Sequence, residues 1–206
     1  MHWLALACTA EGELLAWNES LAVLESACGG EFRAICRVYS VEDSVAEDLK
    51  KNNLDYVLKF KNARTTEFIK EERTKDIKIL SMQLQAKVNL IIELDMRIAH
   101  GYKRFNDMVP WQQEAYKIKA EQADRVIQGL PGDTGMVEDY ASVIGSDLLT
   151  AAKVIKVKHD NQEGLIRKLE FIRLKHQHAI RQAVDKDDMT KIRAAMEEDS
   201  FLSMLM

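Results

Sequence analysis

The chain has 206 residues, 47% of them hydrophobic and 30% charged, a balance that excludes a disordered chain. Its net charge of −4 is uneven: residues 1–61 carry six basic and ten acidic side chains, and the remainder carries 23 of each, which excludes a protein that coats nucleic acid by bulk charge. The cysteines, Cys8, Cys28 and Cys36, are odd in number and irregular in spacing, which excludes a disulfide framework or a zinc ribbon and predicts free thiols in a reducing compartment.

The chain begins with short alternating elements. Trp3–Cys8 is an apolar run of strand character, Glu11-Gly12 signals a turn, and Leu14–Trp17 returns as a second strand. Asn18 is placed to cap a short helix through Leu21, Val23 and Leu24, which ends at Cys28-Gly29-Gly30. Phe32, Ala34, Cys36 and Val38 alternate with Glu31, Arg33, Ile35 and Arg37, as in a half-buried strand. Ser40–Lys51 predicts a second helix with Val41, Val45 and Leu49 on one side, and Leu54–Phe60 a last strand. The order β-β-α-β-α-β predicts a small α/β module over residues 1–61, with a polar hinge at Lys59–Arg64.

From residue 62 the pattern becomes helical, and the fold class expected is α+β: the N-terminal module followed by a helical bundle or hairpin of long amphipathic helices over 62–206. The first helix is expected over 66–99, with Ile77, Leu80, Leu84, Ile91, Leu94 and Ile98 in a near-heptad seam and a stop at His100-Gly101. The second, over 108–128, has Pro110 in its first turn and Trp111, Ala115, Ile118, Gln122 and Val126 on one face. Gly129-Leu130-Pro131-Gly132-Asp133 is a loop, Val137–Ile144 a short helix, and Gly145 a separator. The third long helix is expected over 146–184, capped by Ser146 or Asp147 and spanning roughly 60 Å at 1.5 Å per residue. Its apolar stripe runs through Leu148, Ala151, Ala152, Ile155, Leu165, Ile166, Leu169, Ile172, Ala179, Ile180 and Ala183, interrupted at Lys158, His159 and Gln162. A last helix over 187–198 leads into the apolar tail Phe201-Leu202-Ser203-Met204-Leu205-Met206.

No catalytic or ligand-binding pattern emerges. His176 and His178 are two apart, so on a helix they diverge by about 200° and cannot share an ion. No nucleophile elbow, phosphate-binding frame or HExxH motif is present, and no metal, cofactor or enzymatic activity is expected. Two contact readings remain. Leu165, Leu169, Ile172, His176 and Ile180, with Phe201, Leu202, Met204, Leu205 and Met206 of the tail, are candidates for a protein interface, either within the chain or with a neighbour. Lys153, Lys156, Lys158, Arg167, Lys168, Arg173 and Lys175 are candidates for a basic face toward nucleic acid. The scarcity of interleaved aromatic residues weighs against base stacking there.

The segment Pro110-Trp111-Gln112-Gln113-Glu114-Ala115, with Ala120-Glu121, the Pro131 loop, the Ile144-Gly145 break and a long helix bearing Gly164 and Ile180, resembles small tail proteins of tailed bacteriophages. The likeness covers residues 108–184, about a third of the chain, and departs from the family pattern in its Gly-Leu-Pro-Gly-Asp loop. It implies a non-enzymatic structural or assembly role at a tail or tail fibre. The implied partners are other copies of the chain or other virion proteins; no membrane is expected, because no apolar run at the N-terminus is long enough to span one. The implied locations are the host cytoplasm during assembly and then the virion.

Overall fold

The computed structural model describes residues 1–29, 36–51, 53–62, 65–105 and 110–203. It is α+β: an N-terminal region of antiparallel sheet with two short helices, followed by a mostly helical part with long helices. Strands β1 (His2–Cys8), β2 (Leu14–Asn18) and β3 (Cys36–Val41) form one sheet in the order β2-β1-β3, with both pairings antiparallel. Between them lies α1 (Leu21–Cys28), and α2 (Asp43–Lys50) follows. Strands β4 (Tyr56–Asn62) and β5 (Thr65–Lys70) form an antiparallel hairpin, and a single bridge from Glu13 to Val57 joins it to the first sheet. Then come α3 (Lys75–Phe105), α4 (Pro110–Gln128), α5 (Gly135–Ile144), α6 (Leu148–Gln182), α7 (Lys186–Glu198) and α8 (Ser200–Ser203).

Contacts group the chain into two compact units, one of Met1–Ile98 with Arg173–Met206 and one of Ala99–Ile172. The boundaries fall inside α3 and α6.

In the first unit, the inner faces of β1 and β2 place Leu4, Leu6, Cys8 and Leu14 against Val45, Ala46 and Leu49 of α2 and Leu54 and Tyr56 beside β4. The strand period of two decides which side chains enter. Burial pushes the Cys8 and Cys28 thiols up to about 12, so neither is a ready nucleophile. Polar side chains join the sheets to α3. Buried Arg73 donates to the Leu54 carbonyl and to Ser81 Oγ, and Ser81 Oγ donates to the Leu14 carbonyl. Gln85 brackets Trp17, accepting from its N–H at 3.1 Å and donating to its carbonyl at 3.4 Å.

Three sequence expectations change here. The helix expected from Thr66 begins at Lys75, because Thr65–Lys70 pairs with β4 as a strand. That helix also runs past His100-Gly101 to Phe105: one interior glycine costs about 1 kcal/mol, which a 31-residue helix absorbs. Of the β3 face expected to be buried, Cys36 is buried but Val38 is 52% exposed, and on the opposite face Tyr39 and Val41 pack against the core. Phe32 and Ala34, also expected in that strand, lie outside the described residues.

In the second unit, Ala123 of α4, Val137 and Ala141 of α5, and Ala151, Ala152 and Ile155 of α6 form the core. Alanines at these positions let helix backbones approach closely. Asp147 caps α6, its carboxylate accepting from the Thr150 hydroxyl at 2.6 Å and from the Thr150 N–H at 2.9 Å, and these bonds hold its pKa below the usual carboxylate range. Gly145 ends α5 in the left-handed conformation, with φ of 64°, which turns the chain into α6.

The segment after α6 folds back by a reciprocal cap. Asp185 accepts from the Asp188 N–H at 2.9 Å, and Asp188 accepts from the Val184 N–H at 3.0 Å. The run Asp185–Asp188 is therefore a helix start. Met189 and Met196 are buried on α7, and Arg193 reaches Glu93 of α3 at 3.3 Å.

Candidate functional site

The apolar stripe of α6 is largely covered within the single chain. Leu169, Ile172, His176 and Ile180 are buried, and Leu165 is partly buried. Phe201 and Leu202 of the tail are buried as well, whereas Met204, Leu205 and Met206 lie outside the described residues. In the first unit, Arg181 near the end of α6 donates to the Ser26 carbonyl at 2.7 Å, and its own carbonyl accepts from Lys87 of α3. Surface for further protein contact must therefore be sought elsewhere.

His176 is the polar member of this stripe, at 2% exposure. Its Nε2 lies 3.6 Å from Asp199 Oδ2, and Asp199 Oδ1 accepts from the N–H of Phe201 at 3.1 Å. The carboxylate thus starts α8 and sets the two buried tail residues in place. Burial pushes the imidazole below its ordinary value, aided by Lys175 and Arg97 and opposed by Asp199. Below about pH 6.5 the unfolded chain then binds a proton that the folded chain resists, so stability present above that pH is lost as pH falls. Melting temperature should drop between pH 7.5 and pH 5.5, and the drop should shrink in His176→Gln. An equal drop in both proteins would remove His176 from the account.

The basic residues do not gather on one face. At 100° per residue, Lys153, Lys156, Arg167, Lys168 and Lys175 share a sector of about 120°, while Lys158 and Arg173 point away from it. Acidic neighbours engage part of the set. Lys156 pairs with Asp124 at 3.1 Å and Asp160 at 3.2 Å, and Arg167 pairs with Glu163 at 3.1 Å. Lys158 donates to the Tyr140 hydroxyl at 3.2 Å.

The interruption of the stripe at Lys158–Gln162 has a structural counterpart. His159, Gln162, Glu163 and Ile166 of α6 face Gln113, Tyr116, Lys117, Glu121 and Asp124 of α4 across a cleft of about 380 Å³. The polar residues in the stripe line this open cleft between the two helices.

The more distinctive surface lies on the other side of α4. Sequence periodicity places Trp111, Ala115, Ile118 and Gln122 on one buried face, but only the C-terminal end of that face is covered. Gln122 is buried; it donates to Asp133 at 2.9 Å and accepts from the Met136 N–H at 2.9 Å, tying the loop and the start of α5 to α4. Trp111 is 70% exposed. The reason is length: α5 has 10 residues, about 15 Å, against about 28 Å for the 19 residues of α4.

What remains is an open groove of about 510 Å³ between α4 and α5, lined by Trp111, Ala115, Tyr116 and Lys119 on one side and Met136, Asp139, Tyr140 and Val143 on the other. Val143 is 83% exposed. Lys119 Nζ sits 4.1 Å from the centre of the Tyr140 ring, an arrangement that fixes the ring and keeps the ammonium at the groove edge. Exposed aromatic and aliphatic side chains in a concavity rimmed by charge are the composition of a protein contact site. Sequence reading missed it because Trp111 satisfies a helical core stripe. The signal available was the mismatch between the predicted lengths of the two helices.

Among the described residues, no group of three or more His, Cys, Asp or Glu side chains is placed to hold a metal ion, and no helix is long and apolar enough to cross a membrane. Comparison with protein-family models, curated proteins and solved structures finds no match to this chain.

Proposed function

We propose that the chain is a non-enzymatic bacteriophage tail or tail-fibre-associated protein, structural or acting in assembly, that works through protein–protein contacts. The observation that carries this reading is the uncovered α4–α5 groove lined by the exposed Trp111 and Val143. The groove lies inside the stretch, residues 108–184, that resembles small tail proteins. A large exposed apolar patch on a folded chain marks a contact surface more often than an idle one. Mass spectrometry of purified virions from the source phage tests the reading. The chain should be recovered with the particles or with tail intermediates, and its absence from both would refute a tail role.

A second reading is favoured by the exposed Lys153, Lys168 and Lys175, which share one sector of α6. It makes the chain a cytoplasmic helical regulator that binds nucleic acid. A gel shift that weakens with salt is then expected, and no shift at low salt would eliminate it.

A further inference from the structure

The α4–α5 groove carries two charged groups of opposite sign. Lys119 touches the Tyr140 ring, and neither it nor Asp139 has an oppositely charged partner among the described residues. Trp111, Met136 and Val143 line the same groove and give it apolar surface beside the charges. In a two-fold contact each residue i meets j of the other copy, and j meets i. A groove that carries one group of each sign beside apolar side chains therefore complements itself: the two-fold operation matches each charge with the opposite charge of the other copy and makes two ion pairs. A patch of a single sign would repel itself and call for a foreign partner instead.

We propose that this groove pairs with the same groove of a second copy, with Lys119 of each copy facing Asp139 of the other and Trp111 and Val143 buried between them. The inference rests on the protein-contact reading above and names its first partner. Trp111 is the energetic anchor, since aromatic residues at the centre of an interface lose the most when truncated. The charges set the register and exclude other orientations.

Sedimentation velocity and light scattering of the full chain over a concentration series test this. The wild type should dimerise with rising concentration. Trp111→Ala should weaken the dimer by roughly thirtyfold, the loss expected of a central anchor. Val143→Asp should leave a monomer whose circular dichroism and melting match the wild type, because the residue is exposed. Lys119→Asp and Asp139→Lys should each weaken the dimer by about threefold to tenfold. The two together in one chain should restore it, a rescue that a merely structural role for either residue would not give. A wild type that stays monomeric throughout, a dimer indifferent to Val143→Asp, or a double charge exchange without rescue would each overturn the pairing. A monomer recovered from virions would overturn self-pairing and leave the tail reading standing. A rescued dimer absent from virions would do the reverse.

Discussion

Gly12→Ala should destabilise the sheet-bearing unit by about 3 kcal/mol or more. Gly12 has a φ of 87°, which an L side chain adopts at a cost, and a Cβ built there would lie 2.4 Å from the Leu58 carbonyl oxygen. That atom is backbone and cannot swing aside. It is also held in place, because the Leu58 N–H donates to the Gly12 carbonyl at 2.6 Å. The turn is tied from within by Thr9, whose carbonyl accepts from the Gly12 N–H and whose N–H donates to the Glu13 carbonyl. A methyl at Gly12 therefore pushes the β1–β2 turn off β4, where a bridge from Glu13 to Val57 joins the two sheets. Alanine also restricts the unfolded chain, which favours folding by about 0.4–1 kcal/mol, but strain and displacement outweigh that gain. The melting temperature should fall by about 6–12 °C in a chain of this size. An unchanged melt would mean that the close approach of turn and β4 is absent in solution.

Leu169→Ala carries the second large effect. Leu169 is fully buried in the middle of α6, and truncation removes its transfer free energy and leaves a cavity, at about 2–5 kcal/mol. Phe171, two residues on, is 68% exposed, and its truncation should change stability by no more than about 0.5 kcal/mol. The pair tests which face of α6 is inside. Equal losses, or a larger loss at Phe171, would reverse the face.

The α6 face was readable because its stripe is long. Residues at three- and four-residue steps from Ala151 to Ala183 leave one solution, and Leu169, Ile172, His176 and Ile180 all lie on it. The end of α5 and the start of α6 were readable for a local reason: Gly145 and Asp147 are capping residues whose chemistry acts within one turn. Three other features were hidden because they depend on partners distant in sequence. Thr65–Lys70 carries too few apolar residues to announce a strand, and it becomes one by pairing with β4. Val38 lies on β3 at the end of the sheet order, and its exposure depends on what covers that strand rather than on its own sequence neighbours. The exposure of Trp111 follows from how far α5 extends along α4, a length relation that a single helix pattern does not contain. The candidate contact site was thus the least legible part, although every residue that lines it except Met136 had been placed on a helix.

The central claim is that this chain works by binding other protein through the α4–α5 groove. The most direct test compares phage particles assembled with the wild-type chain and with Trp111→Ala, by counting copies of the chain per virion or tail intermediate with quantitative mass spectrometry. The account predicts a constant copy number for the wild type and a severe loss for the variant, with both proteins folded and equally abundant in the cell. Equal incorporation of the two, or absence of the wild type from every particle, would contradict it.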